Sequence, residues 1–274
     1  MSIELIRDAQ RDSGWWLLVD GSEQSFVDTA EPTHLEFEYV QMMANVLEVM
    51  LPSAVPVEAV HLGGGLCTVP RWVATQYPGS RQQVAERSEQ IAGLSASLGE
   101  VPGTTVVIDD ALAVLSACRP HRADIVVCDV YEGPETVTSM FTVPAVAAAQ
   151  RALRRDGLYL CNVSDAKPFD LARVVAATLR SHFASVVLQA EPAVLRGRRS
   201  GNLVLAGSDR TIPVPAVSRR AAATPVRTRV LGDEDLVAFV GSAAPVEDAA
   251  ALPLSGESLG LRLIGRPPGT GAKA

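Results

Sequence analysis

Three consecutive glycines, Gly63, Gly64 and Gly65, follow a strand-like apolar run, and Glu86 comes about two dozen residues later. Glycines let the backbone of a turn approach a ligand closely, and a carboxylate at the end of the next strand can accept hydrogen bonds from ribose hydroxyls. A glycine cluster alone is equally typical of a tight turn. Because the acid follows at the expected place, the pattern predicts a site for a nucleoside ligand.

Acids also follow the next two predicted strands. Asp109 and Asp110 come directly after the third strand, and Asp129 comes directly after the fourth. Ligands of open parallel sheets bind beyond the carboxyl ends of the strands. A single acid in this place is typical of a helix N-cap, and Asp110 fits that role for a helix that begins at Ala111. Three successive strands that end in acids favour a ligand site.

From residue 57 onward, apolar runs alternate with helical patterns. This alternation indicates an α/β fold with a mostly parallel sheet, whose strands would position these groups. Seven strands are predicted, at residues 59–62, 82–85, 105–108, 125–128, 158–162, 185–189 and 202–206. A helical pattern is missing between the last two, which predicts that this pair is antiparallel. The Pro- and Ala-rich residues 212–226 are expected to be irregular.

The residues before Pro56 follow a different pattern. Asp20-Gly21 between two apolar runs predicts a β-hairpin, and helical spacing of apolar residues between Leu35 and Leu51 predicts one helix. We therefore expect an N-terminal domain over residues 1–56, an α/β domain over 57–248 and an irregular tail over 249–274.

Composition argues against several functional classes. The chain has 274 residues, 47% of them hydrophobic, and a net charge of −7, which argues against nonspecific nucleic-acid binding. The four cysteines form no CxxC pair and the four histidines show no ligand spacing, so no metal site is predicted. The charged N-terminus does not resemble a signal peptide, and no apolar run approaches the ~20 residues of a membrane span. We expect a cytoplasmic protein without a nucleic-acid or membrane partner.

Residues 129–141 resemble the signature loop of the polyamine aminopropyltransferases (spermidine synthases), Asp-Ser-Ser-Asp-Pro-x-Gly-Pro-Ala-x-x-Leu-Phe. Asp129 stands on the first acid of that loop and Glu132 on the second, without a gap. Residues 20–24 are similar to the family's Asp-Gly-x-x-Gln hairpin, and residues 36–42 to its Glu-Phe-x-Tyr-x-x-Met helix. These motifs lie in the family's order over residues 15–208.

The resemblance implies a seven-stranded class I methyltransferase-type Rossmann domain behind a small N-terminal β-domain. It implies a homodimer that binds decarboxylated S-adenosylmethionine, or its relative S-adenosylmethionine, as co-substrate without a metal. The implied reaction moves an aminopropyl group to a small amine such as putrescine. A carboxylate suits this chemistry because it can hold an alkylammonium and accept its proton before the nitrogen attacks a sulfonium-activated carbon.

The resemblance also implies a role for each matched residue, with Asp129 as the general base. The residues implied to bind the nucleoside thioether are Gly63, Gly64, Gly65, Glu86, Asp109, Asp110 and Ala111. The residues implied to bind the amine or to shape its pocket are Gln24, Tyr39, Tyr131, Glu132 and the predicted loop after the fifth strand, residues 162–169.

Two departures from the family pattern leave the reaction open. Leu66 stands where the family has the Asp that holds the amino group of the aminopropyl arm, and Val130-Tyr131 replaces a Ser-Ser pair. The alternatives are therefore aminopropyl transfer, methyl transfer from S-adenosylmethionine, and a binding protein without catalysis.

Overall fold

The computed structural model describes residues 2–132 and 135–251, without the side chains of Glu132, Glu135, Thr136 and Ala251. The predicted irregular tail lies outside the described residues from position 252 onward. Two sheets dominate the described part of the chain, a small N-terminal one and a large central one.

The N-terminal sheet is antiparallel and consists of β1 (Ile3–Arg7), β2 (Gly14–Val19) and β3 (Ser22–Asp28). The predicted hairpin joins β2 to β3. Both turn residues have positive φ angles, 48° at Asp20 and 75° at Gly21, as the two-residue hairpin turn requires. β1 was not predicted, and it pairs with β2 from Ile3↔Val19 to Arg7↔Trp15.

The large sheet confirms the predicted α/β class. Its spatial order is β13 (Arg229–Leu231), β11 (Ser185–Ala190), β12 (Gly201–Ser208), β10 (Leu153–Asp165), β7 (Ala123–Cys128), β4 (Glu58–Leu62), β5 (Arg81–Glu86) and β6 (Thr104–Ile108). The strands from β10 to β6 are parallel, and β12 is antiparallel to both of its neighbours, as predicted for the last pair. All seven predicted strands are present.

Helices cover both faces of this sheet. One face packs against α1 (Glu38–Met50), α2 (Thr68–Gln76) and α8 (Val214–Ala222). The other packs against α4 (Ala111–Ala117), α5 (Val143–Ala152), α6 (Asp170–His182) and α9 (Asp233–Val240). The remaining elements are α3 (Glu89–Ser97), α7 (Pro192–Leu195), the ribbon of β8 (Tyr131–Glu132) and β9 (Glu135–Thr136), and 3₁₀ turns at Thr138–Phe141 and Ala249–Ala251.

Besides β1, two elements toward the C-terminal end of the chain differ from the sequence analysis. Residues 212–226 are not irregular, because they contain α8, in which Pro215 occupies the first turn, where a missing backbone N–H costs nothing. β13 is an eighth strand of only three residues, which is too short to show a period of two. The three-part domain division stays a prediction, and α1, on the N-terminal side of its first boundary, packs on the large sheet.

The order of the parallel strands reverses at β4. The chain runs outward from β4 through β5 to β6 and then returns to β7 on the other side of β4. Ligands of such sheets bind in the crevice where the order reverses. The residues that follow β4 and β7, Gly63 and Asp129, therefore lie side by side at the expected ligand site.

Gly63 has a φ of +95°, and a Cβ atom there would lie 2.1 Å from the carbonyl oxygen of Asp129. We therefore expect Gly63→Ala to lower the free energy of unfolding by about 3 kcal/mol or more, because it adds both backbone strain and overpacking. Urea denaturation measures the change.

Gly93→Ala is the matched control, because Gly93 lies inside α3 and a Cβ atom added there would have no atom within 4 Å. It should stabilise the protein by up to about 1 kcal/mol. Equal effects of the two substitutions would contradict the close contact.

Candidate functional site

The glycine loop after β4 is held by the acid that follows β5. The backbone N–H groups of Gly64 and Gly65 donate to Glu86 Oε2 at 3.1 and 3.2 Å, and the N–H of Ser88 donates to Glu86 Oε1 at 2.8 Å. A carboxylate has about four lone-pair positions, so capacity for a further donor remains. Glu86 therefore shapes the loop and can still meet a hydroxyl group.

The N-terminal sheet closes over the same loop through Ser25 of β3. The Ser25 Oγ accepts the backbone N–H of Leu66 at 3.2 Å and lies 3.1 Å from the Thr68 Oγ1. Since Thr68 donates its hydroxyl hydrogen to the carbonyl of Phe26 at 2.6 Å, Ser25 is the donor in the bond between the two hydroxyls. These bonds tie the loop, α2 and the small sheet together.

The side chain of Leu66 belongs to an apolar cluster rather than to the ligand side of the loop. It is 0% exposed and packs with Leu17 and Val27 of the N-terminal sheet. Partly buried residues of α3, including Ile91 and Leu94, complete the cluster. The Leu66 side chain thus packs the glycine loop against the N-terminal sheet and α3.

Asp129 is a carboxylate with a raised proton affinity. Asn162 donates from Nδ2 to Asp129 Oδ1 at 3.2 Å, and the Tyr39 hydroxyl also hydrogen-bonds this carboxylate. Burial raises the pKa of Asp129 from 3.8 to about 6, against the lowering effect of these two hydrogen bonds. Near neutral pH, Asp129 is ionised but takes up a proton far more readily than an ordinary aspartate.

A β-bulge directs Gln24 into the site. Leu17 pairs with Ser25 and Leu18 with Glu23, so Gln24 is the extra residue of β3. Gln24, Tyr39 and Tyr131 line the same cavity as Asp129. Glu132 belongs to the short strand β8, and its side chain lies outside the described residues.

The acids after β6 also face the cavity, although Asp110 has a structural task. Asp110 Oδ1 accepts the N–H groups of Leu112 and Ala113 at 2.9 and 3.1 Å and so caps α4. Asp109 Oδ1 accepts the N–H of Asp110 at 2.7 Å. The N-cap interpretation of Asp110 is thus correct in geometry, and it leaves the second carboxylate oxygen available.

One cavity of about 420 Å³ joins these residues. The predicted site residues that line it are Gln24, Tyr39, Gly63, Gly64, Gly65, Glu86, Asp109, Asp110, Ala111, Asp129 and Tyr131. A larger groove of about 1290 Å³ runs along the edge strand β6 and α3, and it contains none of these predicted residues. We regard the smaller cavity as the candidate site because the carboxyl ends of the strands open into it.

His61 lines this cavity, and the sequence analysis missed it. The Gln82 amide nitrogen donates to the Pro70 carbonyl and to Thr104, which turns Gln82 Oε1 toward His61 Nε2 at 2.8 Å. His61 therefore carries its proton on Nε2. Burial lowers the pKa of His61 to about 4, so the ring stays neutral, and Nδ1 has no hydrogen-bond partner among the described residues.

Comparison with known proteins places the chain among known folds. A polyamine aminopropyltransferase of Neisseria meningitidis is 23% identical over 143 residues, which cover 51% of this chain and 53% of that protein. The match thus spans about half the length of this curated relative. The crystal structure of a probable spermidine synthase from Corynebacterium glutamicum superposes with a TM-score of 0.83 at 29% identity, over 90% of this chain and 92% of the other. The chain is spermidine-synthase-like.

Human methyltransferase-like protein 13, solved with SAH, superposes with a TM-score of 0.53 at 19% identity, over 67% of this chain and 87% of that one. At this identity the likeness concerns the fold alone, and it confirms the predicted methyltransferase-type architecture. No family model matches the sequence.

The described part of the chain holds neither a membrane-spanning helix nor a metal-binding cluster. None of its helices combines the length and the apolar character that crossing a bilayer requires. Within the same residues, no group of three or more His, Cys, Asp or Glu side chains is arranged to hold a metal ion.

The packing of Leu66 leads to a stability prediction. Leu66→Asp places a carboxylate in an apolar cluster without a partner, so we expect it to lower the free energy of unfolding by several kcal/mol. Leu66→Met, which nearly conserves volume, should cost less than about 1.5 kcal/mol. Thermal and urea denaturation compare the two, and an Asp variant as stable as wild type would contradict the packing described.

The raised pKa of Asp129 leads to a second prediction. Its folded-state pKa of about 6 lies above the ordinary 3.8. The free energy of unfolding therefore falls as the pH rises from about 4 to 6, and it stays at the lower value above pH 6. Asp129→Asn removes that cost, and we expect it to stabilise the protein at pH 8 by on the order of 1–3 kcal/mol. The gain should shrink as the pH falls through 6 and vanish near 4, as urea denaturation at several pH values measures. A gain that is independent of pH would contradict the assignment.

Proposed function

We propose that this protein transfers an aminopropyl group from decarboxylated S-adenosylmethionine to a small amine. The observation that carries this proposal is Asp129, a carboxylate with a pKa of about 6 that shares one cavity with the glycine loop and Glu86. A base with a pKa close to the working pH is efficient at proton transfer. The likeness to spermidine synthases supports the proposal.

In this proposal the nucleoside lies at the carboxyl ends of β4, β5 and β6. Glu86 accepts hydrogen bonds from the ribose hydroxyls, and the glycines allow the thioether to approach the backbone of the loop. Asp109, Asp110 and Ala111 contact the base. Asp110 has the oxygen that α4 does not use, and Ala111 is small enough to admit a flat ring beside it.

The amine lies between Asp129, Tyr39 and Gln24. Its ammonium group binds to ionised Asp129 and passes one proton to that carboxylate. The neutral nitrogen then attacks the aminopropyl carbon next to the sulfonium. A C–N bond forms, the C–S bond breaks with its electron pair moving to sulfur, and methylthioadenosine leaves. Tyr131 lines the same cavity and borders the amine in this proposal. A contact of Glu132 with the amine stays a prediction from the resemblance.

Methyl transfer from S-adenosylmethionine is the second candidate, and one observation favours it. Leu66 is buried in an apolar cluster, so position 66 offers no carboxylate to the ammonium of an aminopropyl arm. The arm of S-adenosylmethionine is a zwitterion and needs less negative charge around it. The homodimer expected from the resemblance and the cytoplasmic location expected from the N-terminal sequence stay predictions.

Enzyme assays and calorimetry together test the proposal. We expect wild-type protein to form methylthioadenosine from decarboxylated S-adenosylmethionine and putrescine or a longer amine. Asp129→Asn should lower kcat by at least about 100-fold, because general base catalysis is typically worth 10²–10⁴-fold. Its affinity for methylthioadenosine should stay near that of wild type, because Asp129 faces the amine.

Glu86→Gln is the complementary variant. It should weaken binding of methylthioadenosine, because it removes one acceptor oxygen and loosens the loop that Glu86 holds. Tighter binding of S-adenosylmethionine than of its decarboxylated form would favour methyl transfer and contradict our proposal. If none of the three nucleosides shifts the melting temperature, the cavity is not a nucleoside site. A ligand at 100 times its Kd should stabilise the protein by about 2.7 kcal/mol, which is readily measured.

A further inference from the structure

A row of hydrogen-bonded polar side chains connects Asp129 to Glu38 at the start of α1. Asn162 of β10 donates from Nδ2 to Asp129 Oδ1 at 3.2 Å and to Asn202 Oδ1 at 3.2 Å. Asn202 of β12 donates from its own Nδ2 to Glu38 Oε1 at 3.0 Å. Four residues from four different elements thus form one hydrogen-bonded row.

The donors and acceptors of this row permit only one arrangement while Glu38 is ionised. A carboxylate can only accept, so Glu38 turns the NH₂ group of Asn202 toward itself and the Asn202 oxygen toward Asn162. Asn162 then faces two acceptors, Asn202 Oδ1 and Asp129 Oδ1, and must turn its NH₂ group to both. Glu38 thus fixes the orientation of the Asn202 amide, which fixes that of the Asn162 amide, which donates to Asp129.

The row carries a cost that packing alone does not explain. Asn162 is 1% exposed, and its Oδ1 has no hydrogen-bond partner among the described residues. Leaving a buried acceptor unsatisfied is unfavourable, and apolar neighbours such as Leu160 occupy the same face of β10. An apolar residue at position 162 would avoid the cost, but it would leave Asp129 without its amide donor.

We propose that Glu38, Asn202 and Asn162 are positioning residues that hold the Asp129 carboxylate in one orientation and keep it ionised for the acceptor amine. The inference rests on the proposed role of Asp129 as the base. Glu38 and Asn202 act through Asn162, so neither needs to touch a substrate. Substitution of Glu38 should therefore alter Asp129 even though two residues separate them.

The other titratable groups around Asp129 do not compete with this effect. Tyr39 of α1 and the thiols of Cys128 and Cys161 interact with Asp129, and burial raises the pKa of each of the three. All three are neutral near pH 6. Among the described residues, Tyr131 and Glu38 are further ionisable neighbours of Tyr39.

The test compares Glu38→Ala with Glu38→Gln by carbon-13 NMR titration of the Asp129 carboxyl group, a measurement that needs no substrate. Loss of a nearby negative charge alone would lower the pKa of Asp129. Loss of the positioning row would raise it above the wild-type value, because the amide donor is no longer held in place. We expect the pKa of Asp129 to rise in Glu38→Ala and to stay near wild type in Glu38→Gln, whose amide oxygen can still accept from Asn202.

Glu36→Ala is the matched control, because it removes a carboxylate of the same charge just before the same helix. Glu36 is exposed, and its hydrogen-bond partner is His34. It should leave the pKa of Asp129 unchanged or slightly lowered. A pKa that falls in Glu38→Ala, or that rises equally in Glu36→Ala, would overturn the inference.

A double-mutant cycle in the enzyme assay provides the second readout. Glu38→Ala and Asn202→Ala should each lower kcat about tenfold at pH 6 with little change in the KM for the nucleoside, and the double variant should lose no more than either one. Additive losses would show that the two residues act separately and would overturn the proposal. If wild-type protein has no transferase activity, the proposed function fails, while the NMR titration still decides whether the row positions Asp129.

Discussion

The contact between Gly63 and Asp129 is the constraint on which the site depends. The Asp129 N–H donates to the carbonyl of Leu62 at 2.8 Å, and the Asp129 carbonyl occupies the space of an absent Cβ at Gly63. The loops after β4 and β7 are thus joined through backbone atoms rather than through side chains. The side chains of these loops, such as Leu66 and Tyr131, can therefore vary while the spacing between the two loops is kept.

The features that raise the proton affinity of Asp129 also lower the stability of the fold at this site. Desolvation raises the pKa of Asp129, and the buried oxygen of Asn162 has no partner among the described residues. Both features lower the free energy of unfolding. Both involve the Asp129 carboxylate or Asn162, the residue that donates a hydrogen bond to it. The apolar cluster around Leu66 and the bonds from Ser25 to the loop stabilise the structure close by. Unfavourable groups concentrated at one point, beside well-packed ones, are typical of a functional site.

The sequence predicted the elements better than the side-chain directions. Apolar runs placed all seven predicted strands, and the residues at their ends, from Gly63 to Asp129, line one cavity. The bulge that turns Gln24 inward was not predictable, because it depends on the register between β2 and β3.

The role of strand β10 was also hidden. The segment after residue 162 was expected to be a loop, yet β10 continues to Asp165, and its pairing with β7 sets Asn162 beside Asp129. The available signal was a polar residue, Asn162, at the end of the apolar run 158–161. Its partners Asn202 and Glu38 lie 40 and 124 residues away from it in the chain, so only the folded structure could reveal the row.

The number of carboxylates that are free to face a cation limits how much positive charge a ligand can bring into the cavity. Three backbone N–H groups already engage Glu86, and Asp110 caps α4. The side-chain partners of the partly buried Asp129 are Asn162 and Tyr39. His61 is neutral and adds no charge. A decarboxylated co-substrate brings an ammonium in addition to its sulfonium, and the acceptor amine brings another cation. Because position 66 supplies no acid, the aminopropyl transfer that we propose would depend on Asp129 to offset much of this positive charge, so the protonation state of Asp129 matters most for that reaction.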